Sequence, residues 1–327
     1  MNNEDKRIDI FSSLIGHEYA KSLLMSIIKT KQLAPAYMFH GPEGIGKKKS
    51  AELFLEGLMT GGLSNTKIRR RLIDRNHSDL LWIEPTYIHQ GKLFTKDSAE
   101  KENIKMRSIP QIRLEQIKAV QNFLGRHPLE AHSGMVVIED VENINEAAAN
   151  ALLKTLEEPK KGFLILISHR PELLLDTIHS RCQKIPFSRL NKENFQHVIG
   201  SIKEKSDMNN IPVQYQEEIL SLANGSPGEY LKHIKISEEI EDELWLKLNS
   251  EHKKSLDCLL IAKKISEELN SEQQAWLISW MQQNIWIKKL DAQAIKELED
   301  LRIQLKSFVQ PRLAWEVTLL KLNKIKQ

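Results

Sequence analysis

Residues 36–50, AYMFHGPEGIGKKKS, decide the fold. The run AYMF is short and apolar, as a buried strand is. The residues after the glycines, GKKKSAELFLEGLM (46–59), carry Ala51, Leu53, Phe54, Leu55 and Leu58 at helical spacing. Between strand and helix lie Gly41, Gly44, Gly46 and Lys47, which fit the phosphate-loop pattern G-x-x-x-x-G-K-[S/T] in all but its last position. Such a loop points backbone N–H groups at phosphates from a helix N-terminus, and glycine allows the close approach. The last position should carry a hydroxyl for Mg²⁺, and it carries Lys48. The loop is therefore a degenerate nucleotide site: Gly41, Gly44, Gly46, Lys47 and Lys48.

Working outward, DLLWI (79–83), MVVI (135–138), FLILI (163–167) and QKIPF (183–187) are further strand candidates. RLEQIKAVQNFL (113–124) and NEAAANALLKTLEE (145–158) are helix formers between them. Short buried strands alternating with helices predict a parallel sheet covered on both faces. Residues 90–108 are polar and charged, and read as a surface excursion. After Phe187 no strand pattern recurs. EEILSLANGSPGEYLKHI (217–234) predicts two helices meeting at residues 224–228. From Glu241 onward there is no glycine and one proline, and five of the six tryptophans, Trp245, Trp276, Trp280, Trp286 and Trp315, lie there. A helical bundle with an aromatic core is the plain reading; a face that packs on other subunits is the sharper one.

The bulk numbers set outer limits. The chain has 327 residues, 41% hydrophobic and 28% charged, which suits two or three packed domains. A net charge of +3 argues against a surface coated for nucleic acid and allows a local basic patch. Two cysteines, Cys182 and Cys258, exclude a disulfide framework or a four-cysteine zinc module. The polar start MNNEDKRIDI and the lack of a long apolar run predict a soluble, cytoplasmic chain.

A phosphate loop needs an acidic partner at a strand end. MVVIEDVENI offers Glu139 and Asp140, in the reverse of the usual order. Glutamate is a methylene too long for the metal role and aspartate one too short for orienting water. Misplacement of about 1 Å can cost on the order of a hundredfold in rate. A solvated strand end is the competing reading of this pair.

NEAAANALLKTLEEP (145–159), TIHSRCQKIPF (177–187), LAPAYMFHGPEGIGK (33–47), IGHEYAKSLL (15–24) and QPRLAWE (310–316) together resemble bacterial DNA polymerase III clamp-loader subunits, over nearly the whole chain. The resemblance implies an AAA+ α/β domain with a parallel sheet (1–187), a small helical lid (188–240) and an all-α collar for oligomerisation (241–327). Its motor members, gamma and tau, hydrolyse ATP; its delta-prime members usually do not. Lys48, the exchanged acids and the lid motif Gly225-Ser226-Pro227-Gly228, which has glycine where the motors have a phosphate-sensing arginine, point to the delta-prime type. The resemblance implies that Arg181, in HSRC, reaches a neighbour's ATP in trans as an arginine finger; a surface ion pair is the plain alternative. It implies gamma/tau and delta subunits, the sliding clamp and primed DNA as partners. Its own ATPase is expected to be absent and ATP binding at most weak, with no required cofactor and no zinc. The chain would belong to a DNA polymerase holoenzyme without a polymerase site of its own. A gamma/tau-like ATP-hydrolysing motor and an unrelated P-loop nucleotide kinase are the rival readings. Cys182 is expected to be a packing residue, and His77, His89, His127 and His132 solvated or capping histidines.

Overall fold

The computed structural model describes residues 9–102, 104, 109–203, 216–249, 254–288, 291–307 and 309–325. The chain divides into two compact units, Met1–Asn194 and Phe195–Gln327.

In the first unit the elements run α1 (Glu18–Thr30), β1 (Ala36–His40), α2 (Lys47–Thr60), α3 (Thr66–Ile73), β2 (Leu80–Ile83), β3 (Tyr87–His89), β4 (Lys92–Phe94), α4 (Lys96–Lys101), α5 (Leu114–Leu124), β5 (Gly134–Ile138), α6 (Glu146–Glu157), β6 (Gly162–Ser168), α7 (Asp176–His179) and β7 (Gln183–Pro186). The five expected strands form one sheet in the order β2-β5-β6-β1-β7, all parallel. Strand side chains alternate between faces, so one sequence feeds two cores. Tyr37 and Phe39 of β1 pack with Phe54 and Phe163 on the α1–α2 face. Ala36 and Met38 pack with Val136, Leu152 and Ile178 on the α5–α6 face. Being buried on both faces is why β1, β5 and β6 read as nearly unbroken apolar runs.

Part of the expected surface excursion is regular structure. β3 and β4 pair antiparallel around Gln90 (φ 49°) and Gly91 (φ 75°). Two central residues at positive φ make the turn that suits the twist of a two-residue hairpin. Each strand has only three residues, too few for a visible period, and α4 follows directly. Residues 103 and 105–108 of that excursion lie outside the described residues.

Every element described beyond β7 is helical: α8 (Lys192–Lys203), α9 (Gln216–Ala223), α10 (Pro227–Glu238), α11 (Asp242–Asn249), α12 (Ser255–Glu268), α13 (Ser271–Lys288), α14 (Ala292–Lys306) and α15 (Pro311–Ile325). In the second unit α12 packs on α15, α14 on both α13 and α15, and α13 on α9. Trp245 meets Trp276 and Trp280 edge-on at centroid distances of 5.9 and 4.8 Å. Trp276 Nε1 donates to His233 Nδ1 at 3.0 Å, and Trp315 Nε1 to Gln274 Oε1 at 3.0 Å. Four of the five tryptophans are thus core, as the plain reading has it; Trp286 is exposed. Among the described residues no helix is long and apolar enough to cross a membrane.

Candidate phosphate-loop site

β1 ends at His40, and the chain turns sharply through three glycines at positive φ: Gly41 at 143°, Gly44 at 73° and Gly46 at 99°. A Cβ on Gly41 would stand 2.1 Å from the Phe187 carbonyl oxygen, so the turn fits against the strand β7 exit only without a side chain. Gly46 is the N-cap of α2, which starts at Lys47. The loop thus has the strand–turn–helix context that the motif demands. Lys47 is 6% exposed. Its ammonium donates to the Gly41 carbonyl at 2.6 Å and to that of Pro42. Burial pulls its pKa down to about 8, against the opposing pull of Glu142, Asp140 and Glu43.

The metal corner is built differently. The Lys48 ammonium lies 2.8 Å from Glu139 and 3.5 Å from Glu84. Burial works against its charge, but Glu139 and then Glu84 outweigh it and hold its pKa above the ordinary value. Trp82 Nε1 donates to the same Glu139 oxygen. Arg75 stacks on the Trp82 ring at 3.3 Å and pairs with Glu52 at 3.0 Å. Where a Mg²⁺ ion would meet a hydroxyl and a carboxylate, this chain supplies a tethered cation to its own carboxylate.

The acidic pair is split rather than convergent. Glu139 faces Lys48. Asp140, at φ 44°, turns toward Glu142 and His169. Burial, then the charge of Glu142, raises the Asp140 pKa. Glu142 sits in a 3-10 turn, Val141–Asn143, and accepts from the backbone N–H groups of His169 and Arg170 at 3.2 Å each. His169 follows the last residue of β6, at the carboxyl edge of the sheet where ligands of open α/β folds bind. Trp82, Glu84, Arg75, Glu142 and His169 were not singled out from the sequence. Only Glu142, two residues past Asp140, carried a local signal; the others arrive from separate strand ends and a helix exit.

Arg181 follows α7. It donates through Nη2 and Nε to Glu157 Oε1 at 2.7 and 3.2 Å, and through Nη1 to the Thr177 carbonyl at 3.0 Å. Glu157 closes α6, so LLKTLEEP and SRC are joined by this pair. Cys182 next to it is buried, which pushes its thiol up to about 12 and leaves it inert as a nucleophile. In the second unit Gly225 (φ 77°) precedes Ser226, whose hydroxyl caps α10 by accepting from the Glu229 N–H at 3.3 Å. Pro227 is the first helical residue and Gly228 stands in the first turn. The motif is a well-made helix start, and it has no cationic side chain.

Comparison with known proteins adds the following. A family model described as DNA polymerase III, delta subunit, matches residues 16–191. A second, cyanobacterial DNA polymerase III delta prime, C-terminal domain, matches residues 193–322. The chain is 33% identical to DNA polymerase III subunit delta' of Bacillus subtilis over 51% of its own length and 46% of that protein's. It is 32% identical to subunit delta' of Pseudomonas aeruginosa, over 60% of this chain and 54% of that one. To subunit tau of Bacillus subtilis it is 25% identical, over 66% of this chain and 35% of that one. The matches thus span about half the length of the delta' relatives.

Proposed function

Because the chain belongs to the DNA polymerase III delta-subunit family, where its relatives of higher identity are delta' proteins, we propose that it is the delta-prime subunit of a bacterial clamp loader. In this reading it is a ring member that does not itself hydrolyse ATP. It joins gamma/tau and delta subunits in the cytoplasm, and the assembly opens the sliding clamp and closes it on primed DNA. Residues 1–187 form the AAA+ body, 188–240 the lid and 241–327 the collar that holds the ring. Arg181 completes the ATP site of a neighbour, where an arginine in trans can be worth about 10³–10⁵ in rate. Its pair with Glu157 is solvent-exposed, and such pairs are worth about 0–1 kcal/mol, so exchange for a phosphate is cheap.

One observation carries the non-hydrolysing role: Lys48 Nζ sits 2.8 Å from Glu139. A cation fixed there competes with Mg²⁺ for the carboxylate and repels it. Phosphoryl transfer relies on that ion to neutralise charge between the β- and γ-phosphates. Gly228 supplies no positive partner from the lid. The rival motor reading would need all of these departures to be tolerated. Titration calorimetry of the isolated chain with ATP and Mg²⁺, paired with a phosphate-release assay, separates the two: no turnover is expected, and multiple turnovers that depend on Lys47 would establish the motor.

A further inference from the structure

We propose that Asp140, Glu142 and His169 form a binding site for a divalent transition-metal ion of the zinc type. Each offers one ligand atom, and the three atoms lie within 4.8 Å of one another. The Glu142 side chain is 0% exposed, and its Oε2 has no hydrogen-bond partner. His169 Nδ1 is buried and lies 2.6 Å from Glu142 Oε1 and 3.4 Å from Asp140 Oδ1. A buried carboxylate oxygen left without a partner, in a cluster with a second carboxylate and an imidazole, is costly unless something bridges them.

A cation does so. Zinc binds histidine nitrogen and carboxylate oxygen at about 2.0–2.2 Å, which sets ligand atoms roughly 3–4 Å apart and needs only a small opening of the 2.6 Å contact. One imidazole with two carboxylates favours zinc or a neighbouring transition metal over Mg²⁺, which prefers oxygen alone. The site is separate from the four-cysteine module that the cysteine count excludes. It also differs from the phosphate-loop metal corner, which Lys48 fills. Bound there, the ion would tie the exit of β6 to the turn after β5, beside Lys47.

The test uses the full chain, freed of metal by chelation. Zn²⁺ titration calorimetry should give one equivalent bound, and Co²⁺ should give visible absorption bands of a low-symmetry site. His169→Ala and Glu142→Gln should each weaken Zn²⁺ binding at least tenfold; glutamine keeps an oxygen for the backbone N–H groups of His169 and Arg170. His132→Ala, at an exposed histidine, should leave it unchanged. Zn²⁺ should also raise the melting temperature of the wild type and not of His169→Ala. Binding that survives His169→Ala, or Co²⁺ that gives only the pale spectrum of the aqueous ion with the wild type, would overturn the proposal. Should His169→Ala fail to fold, the wild-type Co²⁺ spectrum and Glu142→Gln still decide it.

Discussion

Replacing Lys47 by methionine should make the protein more stable at neutral pH. Lys47 is almost fully buried as an ammonium, and its pKa falls from 10.5 to about 8. At about 1.4 kcal/mol per pKa unit, the buried charge costs an upper limit of about 3 kcal/mol. Methionine fills similar space without a charge. That figure already includes the pull of Glu142, Asp140 and Glu43; the change also ends both donations, to the Gly41 and Pro42 carbonyls. Those losses reduce the expected net gain to about 1 kcal/mol, or a few degrees in melting temperature for a domain of this size. The sign with pH follows from linkage. Below about pH 8 the lysine is charged in both states and the penalty is complete. Between pH 8 and 10.5 the unfolded chain holds the proton that the folded one has lost, so the wild type gains stability and the gap to Lys47→Met closes. Urea unfolding at pH 7 and pH 10, read for both proteins, tests this. A variant less stable than wild type at pH 7, or a gap that ignores pH, refutes the reasoning.

Gly41→Ala should cost more than about 3 kcal/mol or abolish folding, because a methyl group would collide with the Phe187 carbonyl at a φ that side chains avoid; thermal melting checks it, and near-wild-type stability would contradict the loop geometry. Burial, with Lys232 next, holds His233 at about 4 while it accepts from the Trp276 indole. Its unfolded form takes a proton near pH 6.5, so the second unit should lose about 2 kcal/mol as the pH falls from 6.5 to 4. Tryptophan fluorescence against urea at those two pH values measures it, and His233→Gln should flatten the difference.

How much of this was legible in the sequence differs by element. Most of the sheet was, since β1, β5 and β6, buried on both faces, are apolar almost throughout, and β1, β2, β5 and β7 each end at or just before a glycine, acid or proline that marks the turn. The phosphate loop was, since its glycines are needed by backbone geometry that only glycine supplies. The β3–β4 hairpin was not, because three-residue strands show no period and Gln-Gly is a weaker turn signal than Asn-Gly. The rewiring of the metal corner was half visible. Lys48 announced the missing hydroxyl, but its pairing with Glu139 and Glu84 depends on how β2, β5 and α2 meet. The division of Glu139 and Asp140 between two neighbourhoods depends on one backbone angle at Asp140, which no side-chain pattern encodes. His169 lay in an unremarked strand exit, and only the fold brings it to Asp140 and Glu142.

The proposed role turns most directly on Arg181. The decisive measurement is DNA-stimulated ATP hydrolysis by a reconstituted clamp loader in which only the motor site facing this subunit is left active. Arg181→Ala should preserve assembly, since the guanidinium's own contacts are an exposed pair with Glu157 and one carbonyl. Turnover at that site should fall by at least a hundredfold, toward the range that arginine fingers command. Arg181→Lys should restore it only in part, because an ammonium lacks the planar fork. Wild-type turnover with Arg181→Ala would mean that Arg181 is a surface arginine, and that this chain completes no neighbour's site.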